Sequence, residues 1–267
     1  MHSRIESEDN NKIKLIRKLR SKKFRDSIGK FTIEGINLVS EAIRHQISLD
    51  FLIISESTIK NNNDKEIIAL LDSADCEIFT LEDSAFERLT EAEHGVQVIA
   101  IISKKVFDES LYPPLLTDDN ILILDRLQDP GNMGTVLRTA YAAGYKRVYI
   151  LKGSADIYSP KVLRASVGAI FNINILLIDD VKTLLELDEI KSRNVVVTVP
   201  SGGVPYYKTE ISKGIALVIG NEGKGISNEL INSSDTRVSI PMNEGIESLN
   251  AGIAAAILMY ESVRNRD

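Results

Sequence analysis

From Ile121 onward the chain alternates short apolar runs with helix-like stretches, and the apolar runs are continuous. The segments ILILD (121–125), VVVTV (195–199) and IALVI (215–219) are the clearest. A strand covered on one face only turns polar at every second position. Unbroken runs therefore predict strands buried on both faces, which is the habit of a parallel sheet. Strands are predicted over Ile121–Asp125, Arg147–Leu151, Ile173–Ile178, Val195–Val199, Ile215–Ile219 and Arg237–Ile240. Helices are predicted over Gly134–Ala143, Lys161–Phe171, Val181–Leu187 and Asn228–Ile231, with a long final one over Ser248–Arg264. The expected fold class is α/β, a mostly parallel sheet with helices on both faces.

The first half reads as a smaller α/β domain. An apolar stripe at helical spacing begins at Lys12, with Ile13, Leu15, Ile16 and Leu19. Strands follow over Phe31–Glu34, Leu49–Ile54, Glu77–Leu81 and Val96–Ile102, with helices over Gly35–Arg44, Asn62–Leu71 and Asp83–Leu89. The first ten residues are polar and are expected to fray. Ser103–Asn120 contains Pro113-Pro114, a pair that breaks both helix and sheet, and reads as a linker. The expected organisation is a small α/β domain over 12–103, a linker over 104–119 and a larger domain over 120–267.

Composition excludes several classes. The 267 residues are 43% hydrophobic and 26% charged, which suits a packed core and argues against disorder. No run of about 18 apolar residues is present, so no membrane span is expected. The N-terminal MHSRIESEDNNKIK has no apolar segment and does not read as a secretory signal. The single Cys76 rules out an internal disulfide and a thiolate zinc cluster, and no metal is called for. These features suggest a cytoplasmic protein.

The net charge is −6, yet Lys12–Lys30 holds nine basic residues and one acid, Asp26. Such a block binds phosphates by releasing counterions, or else is a solvated helix face. Lys12, Arg17, Arg20, Lys22, Lys23 and Arg25 are its candidate contacts to nucleic-acid phosphates.

Ligands of open parallel sheets sit beyond the carboxyl ends of the strands. Three loops there are unusual. DRLQDPGNMGTVLR follows the 121–125 strand, and in it Asn132 is read as a helix cap with Arg138 facing the same mouth. GNEGKGIS follows the 215–219 strand and places Glu222 among three glycines. It is neither a Walker A loop nor the GxGxxG dinucleotide fingerprint. IPMNEGIESLNAGIAAAI follows the 237–240 strand and is too polar at Glu247-Ser248-Leu249-Asn250 for a purely buried helix start.

In this order, NMGTVLR, GNEGKG, then IPM with ESLN resembles the three motifs of the SpoU family of RNA ribose methyltransferases, in the SPOUT superfamily. The resemblance spans roughly Asn120–Arg264. The segments FTIEGINLVSEAI and EHGVQVIAI are similar to a ribosomal-protein-like substrate-binding domain. One departure is Ala251-Gly252, where relatives carry larger residues.

The resemblance implies a trefoil knot at the C-terminal end, S-adenosylmethionine as cofactor, and a homodimer paired through the knotted domains. It places the cofactor against Val199, Pro200, Gly220, Asn221, Gly223, Ile240, Pro241, Met242 and Leu249. It makes Arg138, Asn132, Glu222, Ser248 and Asn250 the catalytic set. The implied reaction methylates a ribose 2′-hydroxyl, most readily in ribosomal RNA.

Arginine as a residue type keeps its proton at neutral pH, so Arg138 is read as an electrostatic clamp on phosphate and forming oxyanion, not as a base. Two other readings remain: a transfer-RNA ribose methyltransferase, and a non-catalytic RNA-binding or ribosome-assembly factor on the same fold. The joint presence of Asn132, Arg138, Glu222 and Asn250 argues against the second. A nicotinamide-dependent oxidoreductase is disfavoured by the missing fingerprint.

Overall fold

The computed structural model describes residues 3–60, 65–91, 96–104, 114–246 and 248–265. It divides into two compact units, Met1–Asp108 with Tyr158–Phe171, and Glu109–Ile157 with Asn172–Asp267. The segment Tyr158–Phe171, assigned by sequence to the second domain, thus groups with the first.

The first unit runs β1 (Ser3–Ile5), α1 (Asn11–Leu19), α2 (Lys22–Ile28), β2 (Lys30–Glu34), α3 (Ile36–Arg44), β3 (Leu49–Ser55), α4 (Glu56–Lys60), α5 (Lys65–Ser73), β4 (Glu77–Leu81), α6 (Asp83–Leu89) and β5 (Val98–Ser103). Its sheet order is β1-β4-β3-β5-β2, with β3 and β5 antiparallel. The expectation of a frayed N-terminus is corrected at Ser3–Ile5, which pairs parallel with Phe79–Leu81. Ile5 supplies the reason, since it is buried among Ile13, Ile16, Phe51 and Leu81. The expected start of the Asn62–Leu71 helix, and Pro113 of the linker, lie outside the described residues.

Cys76 is half-buried, and burial, with Asp75 and Glu77 nearby, pushes its thiol up to about 11. It is therefore a poor nucleophile at neutral pH. His45 ends α3, while His2 and His94 lie outside the described residues.

The second unit is built from β6 (Ile121–Asp125), α7 (Pro130–Ala142), β7 (Arg147–Leu151), β8 (Asn174–Ile178), α9 (Val181–Glu186), α10 (Asp188–Lys191), β9 (Asn194–Thr198), β10 (Val204–Pro205), β11 (Ile215–Gly220), α11 (Asn228–Asn232), β12 (Thr236–Ser239) and α12 (Ala251–Arg264). The remaining helix, α8 (Pro160–Ser166), falls in the segment grouped with the first unit. It is shorter than the Lys161–Phe171 expected. Val167 adopts a left-handed φ of 48°, which stops the helix before the 3-10 turn at Ala169–Phe171.

All pairings in the second sheet are parallel, in the order β10-β12-β9-β11-β6-β7-β8. The continuous apolar runs are its central strands. Ile121, Ile123, Val197, Ala216 and Val218 share one buried cluster. Among the described residues no helix is long and apolar enough to cross a membrane.

This strand order positions the site. β11 lies directly beside β6, and Gly220 sits opposite Asp125 at their shared carboxyl end. β9 and β12 flank them on one side, with Thr198 opposite Val238. Loops far apart in sequence therefore leave the sheet at the same edge.

Candidate functional site

The first loop opens on a buried carboxylate. Asp125 is 0% exposed and accepts from Arg126 Nε at 2.7 Å and from the Ser227 amide at 2.6 Å. One side chain thus ties the end of β6 to the far end of the second loop. Arg126 adopts a left-handed φ of 58° there.

Helix α7 starts earlier than the sequence suggests, and its cap differs. Asp129 is the N-cap, accepting from the Asn132 amide at 2.7 Å, with Pro130 at the first helical position. The reading of Asn132 as a cap is corrected: it lies inside the helix, buried, with its side chain free for other work. The Asp129-Pro130 pair carried the signal that would have placed the cap.

The second loop folds back on itself. Asn221 and Gly225 exchange backbone hydrogen bonds at 3.1 and 2.9 Å. Asn221 Oδ1 accepts from the Gly223 and Lys224 amides, and its Nδ2 donates to the Arg126 carbonyl at 2.8 Å. A Cβ at Gly220 would stand 2.5 Å from the Gly225 carbonyl carbon, so nothing larger than glycine fits beneath this turn.

Glu222 reaches across to the first loop. Its carboxylate accepts from the amides of Gln128 at 3.0 Å and Asp129 at 2.9 Å, and from Asn132 Nδ2 at 3.1 Å. The other end of that amide, Asn132 Oδ1, accepts from Asn250 Nδ2 at 2.8 Å. Asn250 Oδ1 in turn caps α12, accepting from the Gly252 and Ile253 amides. Asn132 is the relay that joins all three loops. Gly252 is where α12 passes closest to the relay: a Cβ there would lie 3.2 Å from Asn250 Oδ1 and 3.4 Å from Thr135 Cγ2. That crowding favours glycine at position 252.

Burial pushes the Glu222 carboxyl up, but donation from Gln128, Asp129 and Asn132 outweighs it and leaves its pKa below the ordinary 4.5. A carboxyl depressed on folding contributes its stabilisation when ionised. That contribution is complete above 4.5 and is lost as pH falls through the lowered value. Affinity for a ligand held by these loops is therefore expected to be flat above that pH and to weaken in acid. Glu222→Gln should remove the acid dependence, and equal acid sensitivity in both proteins would show that another group controls it.

Beside the network is a cavity of about 560 Å³, walled by the carboxyl ends of β9, β11 and β12 and by the start of α12. Val199, Pro200, Gly220, Asn221, Gly223, Ile240, Met242 and Leu249 all line it, as do Glu222 and Ser248. Pro241 is not among its lining residues. Sequence reasoning did not single out Thr198, Lys224, Ile226 or Asn228, which also line it. Asn132 and Asn250 are not among the lining residues, but they hydrogen-bond to Glu222 and to the start of α12, which are. Arg138 is exposed on α7 and makes no hydrogen bond or ion pair with another described residue. Glu247 lies outside the described residues.

The basic block looks different in the structure. Arg25 is 4% exposed and donates to the carbonyls of Leu19 at 2.6 Å and Arg20 at 2.8 Å. It is withdrawn from the RNA contacts, because its charge is spent on ending α1. Arg20 reaches the Leu89 carbonyl at 3.0 Å and Glu91 at 3.3 Å. Lys12 pairs with Glu77, Arg17 with Glu8 and Lys22 with Asp26. Lys23 remains exposed and makes no such pair with a described residue.

Two family models match the chain. The SpoU rRNA methylase family matches residues 119–260, and the MRM3-like substrate binding domain matches residues 10–100. The chain is 35% identical to the 23S rRNA (guanosine(2553)-2′-O)-methyltransferase RlmP of Bacillus subtilis, over 96% of this chain and 97% of that protein. Among solved structures it is similar to the SpoU methyltransferase AviRb of Streptomyces viridochromogenes in complex with AdoMet, with TM-score 0.85 and 26% identity, covering 96% of this chain and 97% of the other. It is also similar to the AdoMet-bound rRNA methyltransferase of Sinorhizobium meliloti, with TM-score 0.83 and 26% identity over 98% and 97%.

Proposed function

As the chain belongs to the SpoU rRNA methylase family, we propose that it methylates a ribose 2′-hydroxyl of ribosomal RNA, with S-adenosylmethionine as cofactor. The observation that carries this reading is the hydrogen-bonded relay Glu222–Asn132–Asn250, which joins the three loops beside one cavity.

The cavity suits the cofactor. Val199, Ile240 and Leu249 offer an apolar slot for an adenine ring, and the loops after β9, β11 and β12 offer backbone polar groups beside it. Pro200, Gly220, Asn221, Gly223 and Met242 complete the wall, with Pro241 next to it in the chain. S-adenosylmethionine supplies an electrophilic methyl group on a sulfonium. The chain's residues supply position and charge.

Arg138 binds a phosphate beside the target ribose and stabilises negative charge on the 2′-oxygen. The hydroxyl proton would leave to water or to a phosphate oxygen as the new carbon–oxygen bond forms and the methyl–sulfur bond breaks, with the sulfur leaving as a neutral thioether. Glu222, Asn132 and Asn250 hold the loops still, so that little reorganisation remains for the reaction step. Ser248, on the cavity wall, orients the ribose.

Residues 12–103 bring RNA to the site and residues 120–267 perform the transfer, with 104–119 joining them. The family matches at 10–100 and 119–260 support that division. Lys12, Arg17, Arg20, Lys22 and Lys23 remain the RNA-facing candidates of the first unit. The protein works as a homodimer through its second unit. There α7 and α12 pack on each other and leave Tyr141, Ile253 and Tyr260 exposed, apolar surface that a partner would cover. The knot belongs to the same proposal, and the placement of β11 between the earlier strands β9 and β6 supports it. On this proposal the protein works in the cytoplasm, with the ribosomes it acts on.

Calorimetric titration with S-adenosylmethionine, with NADH as control, tests the reading. Saturable binding of the first alone is expected, followed by label transfer to ribosomal RNA in preference to transfer RNA. Preferred labelling of transfer RNA would overturn the substrate class. Absence of cofactor binding both with and without ribosomal RNA would overturn the enzyme.

A further inference from the structure

We propose that Lys224 holds a backbone phosphate of the RNA at the mouth of the cofactor cavity. The proposal rests on the methyl-transfer reading and deepens it.

The chain carries a net charge of −6, so a polyanion must be met by local cations. Most of the basic block is already engaged within the first unit, and Arg25 is buried. In the second unit Arg126 is tied to Asp125. Lys224 is different. It lines the cavity, is exposed, and its ammonium makes no hydrogen bond or ion pair with another described residue.

Its backbone is held while its side chain is free. Asn221 Oδ1 accepts the Lys224 amide at 2.9 Å, and the Asn221–Gly225 bridge closes the turn on either side. The same Asn221 is anchored to Arg126 through Nδ2. A cation presented on a fixed loop loses little backbone freedom when it binds. The nearest acid in sequence is not ion-paired with it: the Glu222 carboxylate is turned to the N–H donors of the first loop. A compact ammonium on a flexible four-carbon stem suits a phosphate, which needs charge more than fixed geometry.

The test compares wild type, Lys224→Met and Lys224→Arg. None of these changes touches the amide that holds the turn. The probe is in-vitro-transcribed 23S ribosomal RNA of Bacillus subtilis, the RNA class named for the similar enzyme. RNA affinity is measured across a salt series, S-adenosylmethionine affinity by calorimetry, and transfer by steady-state kinetics. In Lys224→Met the slope of log affinity against log salt is expected to flatten by roughly 0.7, the share of one phosphate on a single strand. KM for RNA should rise, kcat and cofactor affinity should hold, and Lys224→Arg should restore the slope.

An unchanged slope overturns the proposal. So does a loss of cofactor affinity in Lys224→Met, which would move the lysine to the cofactor's carboxylate. A wild type that binds this RNA without methylating it would count against the functional reading, while the slope still judges the lysine.

Discussion

Replacing Arg138 with alanine is expected to lower methyl transfer by roughly 10²–10³-fold, the usual cost of removing one preorganised charge stabiliser. The thermal midpoint and cofactor affinity should stay close to wild type. Arg138 is exposed on α7 and holds no described partner, so the fold loses no contact. Alanine is also the better helix former at an exposed interior position. The effect should appear in kcat more than in the KM for RNA, because charge on the 2′-oxygen develops only as the proton leaves. Lys224 predicts the opposite split, which separates the two cations. Arg138→Lys decides the geometry. Lysine keeps the charge and loses the planar fork, so activity should remain low if two oxygens are held at once. Near-full activity in Arg138→Lys would remove the bidentate clamp from the mechanism.

Gly220→Ala is expected to weaken S-adenosylmethionine binding by roughly 10–100-fold, equivalent to about 1–3 kcal/mol of overpacking strain. The new Cβ would meet the Gly225 carbonyl carbon at 2.5 Å and the Ile226 nitrogen at 2.6 Å. Both are backbone atoms and cannot swing aside as a side chain does. The turn must lift from the end of β11, and with it go the Asn221 and Glu222 side chains that fasten the second loop to the first. Calorimetry measures the affinity and circular dichroism confirms that the sheet persists. Wild-type affinity in a folded Gly220→Ala protein would show that the tightness of this turn does not govern the cavity.

Much of this molecule can be read from local sequence. The unbroken runs at 121–125 and 215–219 became central strands, and Arg147–Leu151 and Asp83–Leu89 have the limits expected of them. These elements depend on interactions within a few residues: apolar burial, β-branched side chains, and the turn residues that flank them. The polar residues of the three loops were legible for a similar reason, since charged and amide side chains directly after buried strands have no core to join.

Other features depended on partners distant in the chain. Ser3–Ile5 is too short and polar to read as a strand, and it forms because β4 offers an edge and Ile5 finds a core. Arg25 looks like one more cation of a basic helix until the fold turns it onto the Leu19 and Arg20 carbonyls. Asn132 looks like a cap, yet tertiary structure makes it the relay between Glu222 and Asn250.

The sequence by itself determined the α/β class, most of the strands and the residues from which a site is made. Tertiary structure alone decided that β11 lies beside β6, that Gly220 faces Asp125, and that the Lys224 ammonium stands at the rim without an ion pair among the described residues. The physical reason is range. Hydrophobic pattern and turn chemistry act along a few residues of chain, whereas strand order and side-chain partnership are settled only when distant segments compete for the same buried surface and the same hydrogen bonds.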